Sequence, residues 1–363
     1  MYLENAERKA QMRNLKIVYF LDWQGRADAG VVTKVRNQVT SWQKLGHEVK
    51  VVLLTKTNSE NYNFNVPTIV FKSDSKITRY FSRRNAFRYL LLVHKDWIVY
   101  RRYALMIPVE VLSMKKLDTV IELNTNNRFF YKERGKLQFL WFQIQNSFIA
   151  KLAIGACAVT SEIEELNANH FKKISTFTNA INLESFKSVN RSVSSQKLIF
   201  LAGDNFSWNG IHILQKLVNA LPNYEIDVYG ISTEIFKENR IHFFDFITKE
   251  ELDHRFPEYV AGITTLQLEK IGLNEAAPLK TREYLLRGLP VIGRFNDSGL
   301  TNDFPFFFKL HLDLESKEVL NSRELLLFIE GCRNKIMNKS DLASIDVENV
   351  EASRITFIRE IIT

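Results

Sequence analysis

Short apolar runs alternate with amphipathic stretches along the first half of the chain. The predicted strands are KIVYF (Lys16–Phe20), VKVVLL, TIVF near Ile69, WIVY (Trp97–Tyr100), TVIEL (Thr119–Leu123) and CAV near Ala158. Their apolar residues are continuous rather than alternating, which is typical of strands that are covered on both faces. Helical stretches such as VVTKVRNQVTSWQKLG separate them. This order predicts βαβ units and a parallel sheet.

The pattern begins again after a polar, serine-rich segment, FKSVNRSVSSQ, which we interpret as a linker at 186–196. KLIFLAG, EIDVYG, RIHFF and VAGITTL are further predicted strands, and WNGIHILQKLVNAL is a predicted helix. The sequence therefore predicts an α/β protein with two Rossmann-like domains that face each other across a cleft. The predicted domains are 1–185 and 197–345. A helix at 346–363 follows, and the first domain is one place where it could pack.

One stretch of the second domain, NEAAPLKTREYLLRGLPVIG at 274–293, combines helix signals with candidate chemistry. Pro278 stands where helices often begin, because a proline lacks the N–H that would be unpaired there. LKTREYLLR is a predicted helix, Gly288 ends it, and LPVIG is the next buried strand. The predicted order is therefore strand, loop, helix and strand.

The start of this helix is a candidate anion site. Free backbone N–H groups and the positive end of the helix dipole lie at a helix N-terminus. Lys280 adds a positive charge close to that end, and Arg282 is a second candidate cation. Glu275 and Glu283 lie on either side, and a carboxylate accepts two hydrogen bonds from neighbouring sugar hydroxyls. A diphosphate flanked by sugars, as in a nucleotide sugar, fits this arrangement.

The spacing of the two glutamates is weak evidence by itself. Glu250 and Glu258 have the same separation in KEELDHRFPE, which has the pattern of a solvated helix face. Short motifs of this kind often occur by chance. The surrounding order of elements, rather than the spacing, favours the functional interpretation.

PLKTREYLLRGLPVI resembles the E-x7-E signature of retaining GT-B glycosyltransferases, particularly family 4 (glycosyl transferases group 1). Further segments resemble that family in the expected order, together spanning about residues 15–295. These segments are GVVTKVRNQVTSWQKLGHEVKVVLL, VIELNTN, AVTSEIEEL, TNAINLESF and LIFLAGDNFSWNGIHIL. The resemblance implies a GT-B fold with an acceptor-binding first domain and a second domain that binds the nucleotide sugar.

The implied activity is transfer of a sugar, with retention, from a nucleotide-diphosphate sugar to a glycan or lipid-linked acceptor, in cell-surface polysaccharide or glycolipid synthesis. Glu275 and Lys280 are the implied catalytic residues, and Glu283 binds the ribose. The other implied donor-binding residues are Ala276, Ala277, Pro278, Leu279, Arg282, Gly30 and Gly203. The polar residues after the fifth predicted strand are acceptor-side candidates, since ligands bind at the carboxyl ends of parallel strands: Glu122, Asn124, Asn126 and Arg128. No cofactor and no metal are expected.

Two positions depart from the family pattern. Asp204 and Asn209 stand where the family usually has an arginine and a lysine that neutralise the diphosphate. Either Lys280, Arg282 and the helix dipole are sufficient, or another basic residue substitutes, or activity is weak or lost. A non-catalytic GT-B-like protein that binds a nucleotide or a partner, and a nucleotide-sugar epimerase, therefore stay as alternatives.

The charge is unevenly distributed. Residues 1–190 contain 29 Lys and Arg against 16 Asp and Glu, whereas the remaining residues contain 20 against 25. A basic, aromatic stretch at 79–97 includes Arg83, Arg84 and Arg88, which we predict to face an anionic membrane surface. A core helix with a solvated basic face is an equal alternative. No nucleic-acid-binding motif accompanies the charge, so nucleic acid is not a predicted partner.

The two cysteines, Cys157 and Cys332, have no metal-type partner at short spacing, which favours a reduced cytosolic chain. The polar N-terminal segment lacks the features of a secretory signal. No apolar run reaches the length of a transmembrane helix. We therefore predict a cytoplasmic location. Peripheral attachment to the inner face of the membrane is a further possibility within that prediction.

Overall fold

The computed structural model describes residues 14–56, 62–187, 194–203, 206–231, 238–313 and 315–362. The chain divides into two compact units. Met1–Thr178 with Val347–Thr363 form the first unit, and Asn179–Asp346 form the second. The division thus falls before the predicted linker at 186–196, of which 188–193 lie outside the described residues.

A seven-stranded sheet forms the centre of the first unit, and every neighbouring pair of strands is parallel. The spatial order is β3-β2-β1-β4-β5-β6-β7. The strands are β1 (Lys16–Asp22), β2 (Glu48–Thr55), β3 (Thr68–Lys72), β4 (Ile98–Arg102), β5 (Thr119–Leu123), β6 (Gly155–Ala158) and β7 (Ile174–Thr176). The helices between them are α1 (Gly30–Lys44), α2 (Lys76–Val93), α3 (Pro108–Ser113), α4 (Asn127–Glu133), α5 (Lys136–Leu152) and α6 (Ser161–Asn167). This order is that of a Rossmann-like domain.

The second unit has a six-stranded sheet, again parallel, in the order β10-β9-β8-β11-β13-β15. Its strands are β8 (Lys197–Leu201), β9 (Glu225–Tyr229), β10 (Ile241–Phe244), β11 (Tyr259–Ile263), β13 (Val291–Gly293) and β15 (Phe307–Lys309). A separate parallel pair joins β12 (Glu275–Ala276) to β14 (Asn296–Asp297). The helices are α7 (Ile213–Ala220), α8 (Lys249–Arg255), α9 (Leu279–Leu286) and α10 (Ser322–Arg333).

The continuous apolar runs form strands that are buried on both faces, as predicted. The side chains of β5 and β11 are buried along their whole length. Helices cover the sheets because a parallel sheet needs a crossover connection between neighbouring strands. The prediction of a two-domain α/β architecture is therefore confirmed.

The last helix, α11 (Val347–Ile362), belongs to the first unit and packs against α1. Its buried face carries charge as well as apolar residues. Trp42 Nε1 donates to Glu351 Oε2 at 2.8 Å, and Arg354 forms an ion pair with Glu351 at 2.9 Å. Arg354 also donates to the hydroxyl oxygen of Tyr100 at 2.8 Å. Since these side chains are buried, the polar contacts fix the position of α11.

Candidate functional site

The stretch at 274–293 folds as its sequence predicts. Pro278 is the N-cap of α9, which runs from Leu279 to Leu286. Gly288 has a φ of +71°, a left-handed conformation that favours glycine. Behind it, the N–H of Leu289 donates to the carbonyl of Tyr284 at 3.0 Å, which closes the helix before β13. The N-terminus of α9 therefore lies after β11, at the carboxyl edge of the six-stranded sheet.

Lys280 occupies the first turn of α9, and its ammonium group is drawn inward. Nζ donates to Asn209 Oδ1 at 3.0 Å and lies 4.3 Å from the centroid of the Phe200 ring. Burial lowers the pKa of Lys280 to about 7. Within the described part of the chain, no carboxylate forms an ion pair with it. An amide and a ring face stabilise a cation less than a carboxylate does, so this charge favours an anionic ligand.

Asn209 orients this lysine. It is 3% exposed and is the last residue of a short 3-10 helix, Ser207–Asn209, which follows β8 in the chain. Its Nδ2 donates to the carbonyl of Ala202 at 3.2 Å, which leaves the Oδ1 side of the amide directed at Lys280. The residue that departs from the family pattern therefore holds a cation in place. Asp204, the other departure, lies outside the described residues.

Glu275 and Glu283 lie on either side of the helix start, as predicted. Glu275 is a partly exposed residue of β12, and that strand pairs with β14. Glu283 is a partly exposed residue of α9, where Arg287 binds its Oε2 atom. Arg287 also pairs with Asp253 at 2.6 Å, so it is held independently of the glutamate. These contacts orient Glu283, and both glutamates are only partly exposed.

Arg282 has a structural position, and its role as a donor-binding cation stays a prediction. It is 2% exposed and forms a bidentate pair with Asp297, with both N–O distances at 2.7 Å. Its Nε donates to the carbonyl of Asn179 at 2.6 Å, and Asn179 Nδ2 donates to the carbonyl of Ala277 at 2.6 Å. A buried and neutralised guanidinium adds little charge to a ligand site. Arg282 instead connects α9 to β14 and to the start of the second unit.

The remaining donor-side residues differ in exposure and in backbone conformation. Ala277 is 4% exposed. Its neighbours at the start of α9 are partly exposed: Ala276, Pro278 and Leu279. Gly203 follows β8 with a φ of +68°, and Gly30 is the first residue of α1 in the first unit. Contact of these residues with a donor stays a prediction.

Glu122, predicted on the acceptor side, lies in a buried ion pair, and its acceptor role stays a prediction. The residue is 0% exposed, and Lys34 Nζ binds its Oε1 atom at 2.8 Å. Burial alone raises the pKa of Glu122, but Lys34, Arg354 and Arg102 outweigh burial and lower it to about 2. A carboxylate so enclosed and paired is part of the core of the first unit. Sequence reasoning missed Lys34 because α1 approaches β5 only in the folded chain.

The other three acceptor-side candidates differ in exposure. Asn124 is partly exposed and shares the ammonium of Lys34, which lies 3.0 Å from its Oδ1 atom. Asn126 is 9% exposed and is the N-cap residue of α4, whereas Arg128 is exposed in the first turn of that helix. The structure thus brings Asn124 into the Glu122 network and leaves Arg128 at the surface. A role in acceptor binding stays a prediction for these three residues.

Of the three predicted membrane-facing arginines, Arg83 faces inward, and contact of the other two with a membrane stays a prediction. Its side chain is 12% exposed and forms an ion pair with the buried Glu110, and Nη2 donates to the carbonyl of Leu105 at 2.7 Å. Arg84 is partly exposed and Arg88 is exposed. Among the helices that the structure describes, none is both long and apolar enough to cross a bilayer.

Comparison with solved structures assigns the fold. The chain is similar to a glycosyltransferase from Rickettsia africae ESF-5, with 14% identity, coverage of 97% of this chain and 99% of that chain, and a TM-score of 0.63. It is similar to the pneumococcal O-GlcNAc transferase GtfA in complex with UDP and GlcNAc, with 11% identity, 96% and 99% coverage, and a TM-score of 0.63. It is also similar to Anabaena HepE in complex with UDP and glucose, with 12% identity, 96% and 98% coverage, and a TM-score of 0.58.

At such low identity the likeness shows the fold alone, and that fold is GT-B. No protein-family profile matches the sequence. No curated protein matches it by sequence. In the described residues, no three His, Cys, Asp or Glu side chains cluster as a metal site would.

Proposed function

We propose that the protein is a retaining glycosyltransferase that uses a nucleotide-diphosphate sugar as donor. The observation that carries this proposal is Lys280, a cation without an ion-pair partner in the described residues, at the first turn of α9. Free N–H groups and the positive end of the helix dipole lie at the same place. A diphosphate supplies the negative charge that this position lacks.

The chemistry of the site follows from the leaving group. Breaking the anomeric C–O bond of the donor places negative charge on the departing nucleoside diphosphate. Lys280 and the N–H groups of α9 stabilise that charge best when it is fully developed, which is the requirement for catalysis. Glu275 binds hydroxyls of the donor sugar, and Glu283, oriented by Arg287, binds the ribose. The UDP present in the HepE and GtfA structures supports uracil as the base.

We further propose a hexose donor, a glycan or lipid-linked acceptor in cell-surface polysaccharide or glycolipid synthesis, and a reaction that needs no metal. The donor base and sugar are found by thermal shift with a panel of nucleoside diphosphates and nucleotide sugars, since a ligand of the folded state raises its melting temperature. Transfer that is unchanged by a chelator supports metal independence. Product anomeric configuration, measured by NMR, tests retention.

The test of the site uses the two pairs of glutamates with equal spacing. We expect Glu283→Ala to weaken binding of both UDP and UDP-sugar about 10- to 100-fold, because a charged acceptor of hydroxyl hydrogen bonds is lost. We expect Glu275→Ala to weaken only the sugar-bearing donor. Glu250→Ala and Glu258→Ala are the matched controls, since both residues are exposed. Equal losses for both ligands in both site variants would refute the assigned roles.

A second candidate function is a GT-B protein that binds a nucleotide without turnover. The observation that favours it is Asn209, a neutral side chain where the resemblance implies a lysine. Binding of UDP-sugar with neither transfer nor donor hydrolysis supports this candidate. Transfer that increases when Asn209 is changed to lysine supports the enzyme with a weakened site.

A further inference from the structure

Three helices of the first unit share an apolar surface that none of the described residues covers. Helix α3 packs against both α2 and α5. Large exposed side chains lie on all three helices: Ile77, Tyr80 and Phe81 on α2, Leu112 on α3, and Leu137, Leu140, Trp141, Ile144 and Phe148 on α5. We call these nine residues the apolar face. An exposed set of this size marks an interaction site rather than the scattered apolar residues of an ordinary surface.

Helix α5 has apolar residues on two different sides. Phe142, Gln145 and Ile149 are buried against the first unit. The exposed stripe consists of residues at i, i+3, i+4, i+7 and i+11, which are Leu137, Leu140, Trp141, Ile144 and Phe148. Leu137 is 84% exposed and Phe148 is 58% exposed. A surface helix of a monomeric protein is polar on its outer side, and a helix that is apolar all round is covered by something. The helical spacing of the stripe shows that the apolar positions form one continuous strip.

The charges beside the apolar face have one sign. Neither α2 nor α5 contains an aspartate or a glutamate, whereas together they contain seven lysines and arginines. Two of the seven, Arg79 and Arg83, are paired with Asp22 and with the buried Glu110 of α3. Arg84 and Arg88 follow Phe81 at i+3 and i+7, which places them on its side of α2. Lys136 and Lys151 are exposed at the two ends of α5. The apolar face thus has basic residues along its border.

We propose that the apolar face docks the first unit onto an anionic lipid bilayer. Leucine, phenylalanine and tryptophan on one side of a helix, bordered by lysine and arginine, suit the boundary between headgroups and acyl chains. A second copy of the chain is a poor occupant, because a two-fold interface places the same basic border opposite itself. This docking depends on α2, α3 and α5, so it stands or falls separately from the donor site around Lys280.

The experiment measures co-sedimentation of the full chain with vesicles of phosphatidylcholine, with and without about 30 mol% phosphatidylglycerol. We expect binding only to the anionic vesicles, and a decrease of about fivefold for each basic residue neutralised in Arg84→Gln and Arg88→Gln. Leu137→Glu with Phe148→Glu should abolish binding. Leu327→Glu and Ile336→Glu, at exposed apolar residues of the second unit, are controls that should change nothing.

Equal binding to neutral and anionic vesicles would overturn the proposal, as would unchanged binding after Leu137→Glu with Phe148→Glu. Analytical ultracentrifugation without lipid tests the other occupant. A dimer that Leu137→Glu with Phe148→Glu converts to monomer would show that a second copy covers the apolar face. Both side chains are more than half exposed, so unchanged melting temperatures are expected and separate loss of docking from loss of folding.

Discussion

Donor affinity should depend on pH through Lys280, because its ammonium has a pKa of about 7 in the free protein. The cause of the lowered pKa is burial, and the partners of the ammonium are the neutral amide of Asn209 and the ring of Phe200. A bound diphosphate favours the protonated form and raises the pKa again. Binding above neutral pH is therefore accompanied by proton uptake.

The size of the effect follows from the protonated fraction. With a pKa of about 7, that fraction falls from roughly 0.9 at about pH 6 to roughly 0.1 at about pH 8. If only the ammonium form binds, donor affinity falls about tenfold over this range, which corresponds to about 1.4 kcal/mol. Lys280→Arg keeps its charge throughout and Lys280→Met has none, so both variants should show a flat profile.

The assay is isothermal titration calorimetry with a nucleotide sugar, whose diphosphate is esterified at both ends and does not itself titrate near neutral pH. Repeating the titration in buffers of different ionisation enthalpy counts the protons taken up. Lys270→Met is the control, because Lys270 is an exposed lysine of the same unit. An affinity that is independent of pH in the unmodified protein, or a tenfold fall that persists in Lys280→Met, would refute the reasoning.

Three further predictions concern stability, each measured by chemical denaturation. Arg282→Met should lower the free energy of unfolding by about 3–5 kcal/mol by leaving Asp297 buried and unpaired, and adding Asp297→Leu should recover part of the loss. The folded-state pKa of His47 is lowered to about 4, mainly by burial, so stability should fall as pH drops from about 6.5 to about 4, and this fall should be smaller in His47→Gln. The folded-state pKa of Glu122 is lowered to about 2, so its pairing with Lys34 should stabilise the fold at neutral pH. This contribution to the free energy of unfolding should be lost as pH falls from about 4.5 to about 2, and it should be absent in Glu122→Gln.

The elements could be predicted from sequence because their signals are local. Continuous apolar runs give buried parallel strands. Pro278 and Gly288 mark the two ends of α9 within two residues of the structure, since each acts through its own backbone conformation. The order of these elements then gives the two Rossmann-like units.

The ion-pair partners of the charged residues could not be predicted, because local sequence does not show which charges are neutralised. Arg282 pairs with a residue 15 positions away, Arg83 with one 27 positions away, and Glu122 with one 88 positions away. Each was assigned to a surface or a ligand from its neighbours in sequence. In the fold each is buried against an opposite charge, and a buried charge requires such a partner.

Lys280 differs from these residues because its partner in the described chain is neutral. The amide of Asn209, 71 positions away, occupies the place where the resemblance implies a lysine. Two ammonium groups so close would repel each other, whereas the amide oxygen accepts a hydrogen bond and directs the one remaining cation. The replacement therefore lowers the charge of the site and at the same time orders what is left. A site that depends on one lysine with a pKa near 7 should bind its ligand best below neutral pH and lose affinity above it. A site with two permanent cations would keep its affinity over the same range.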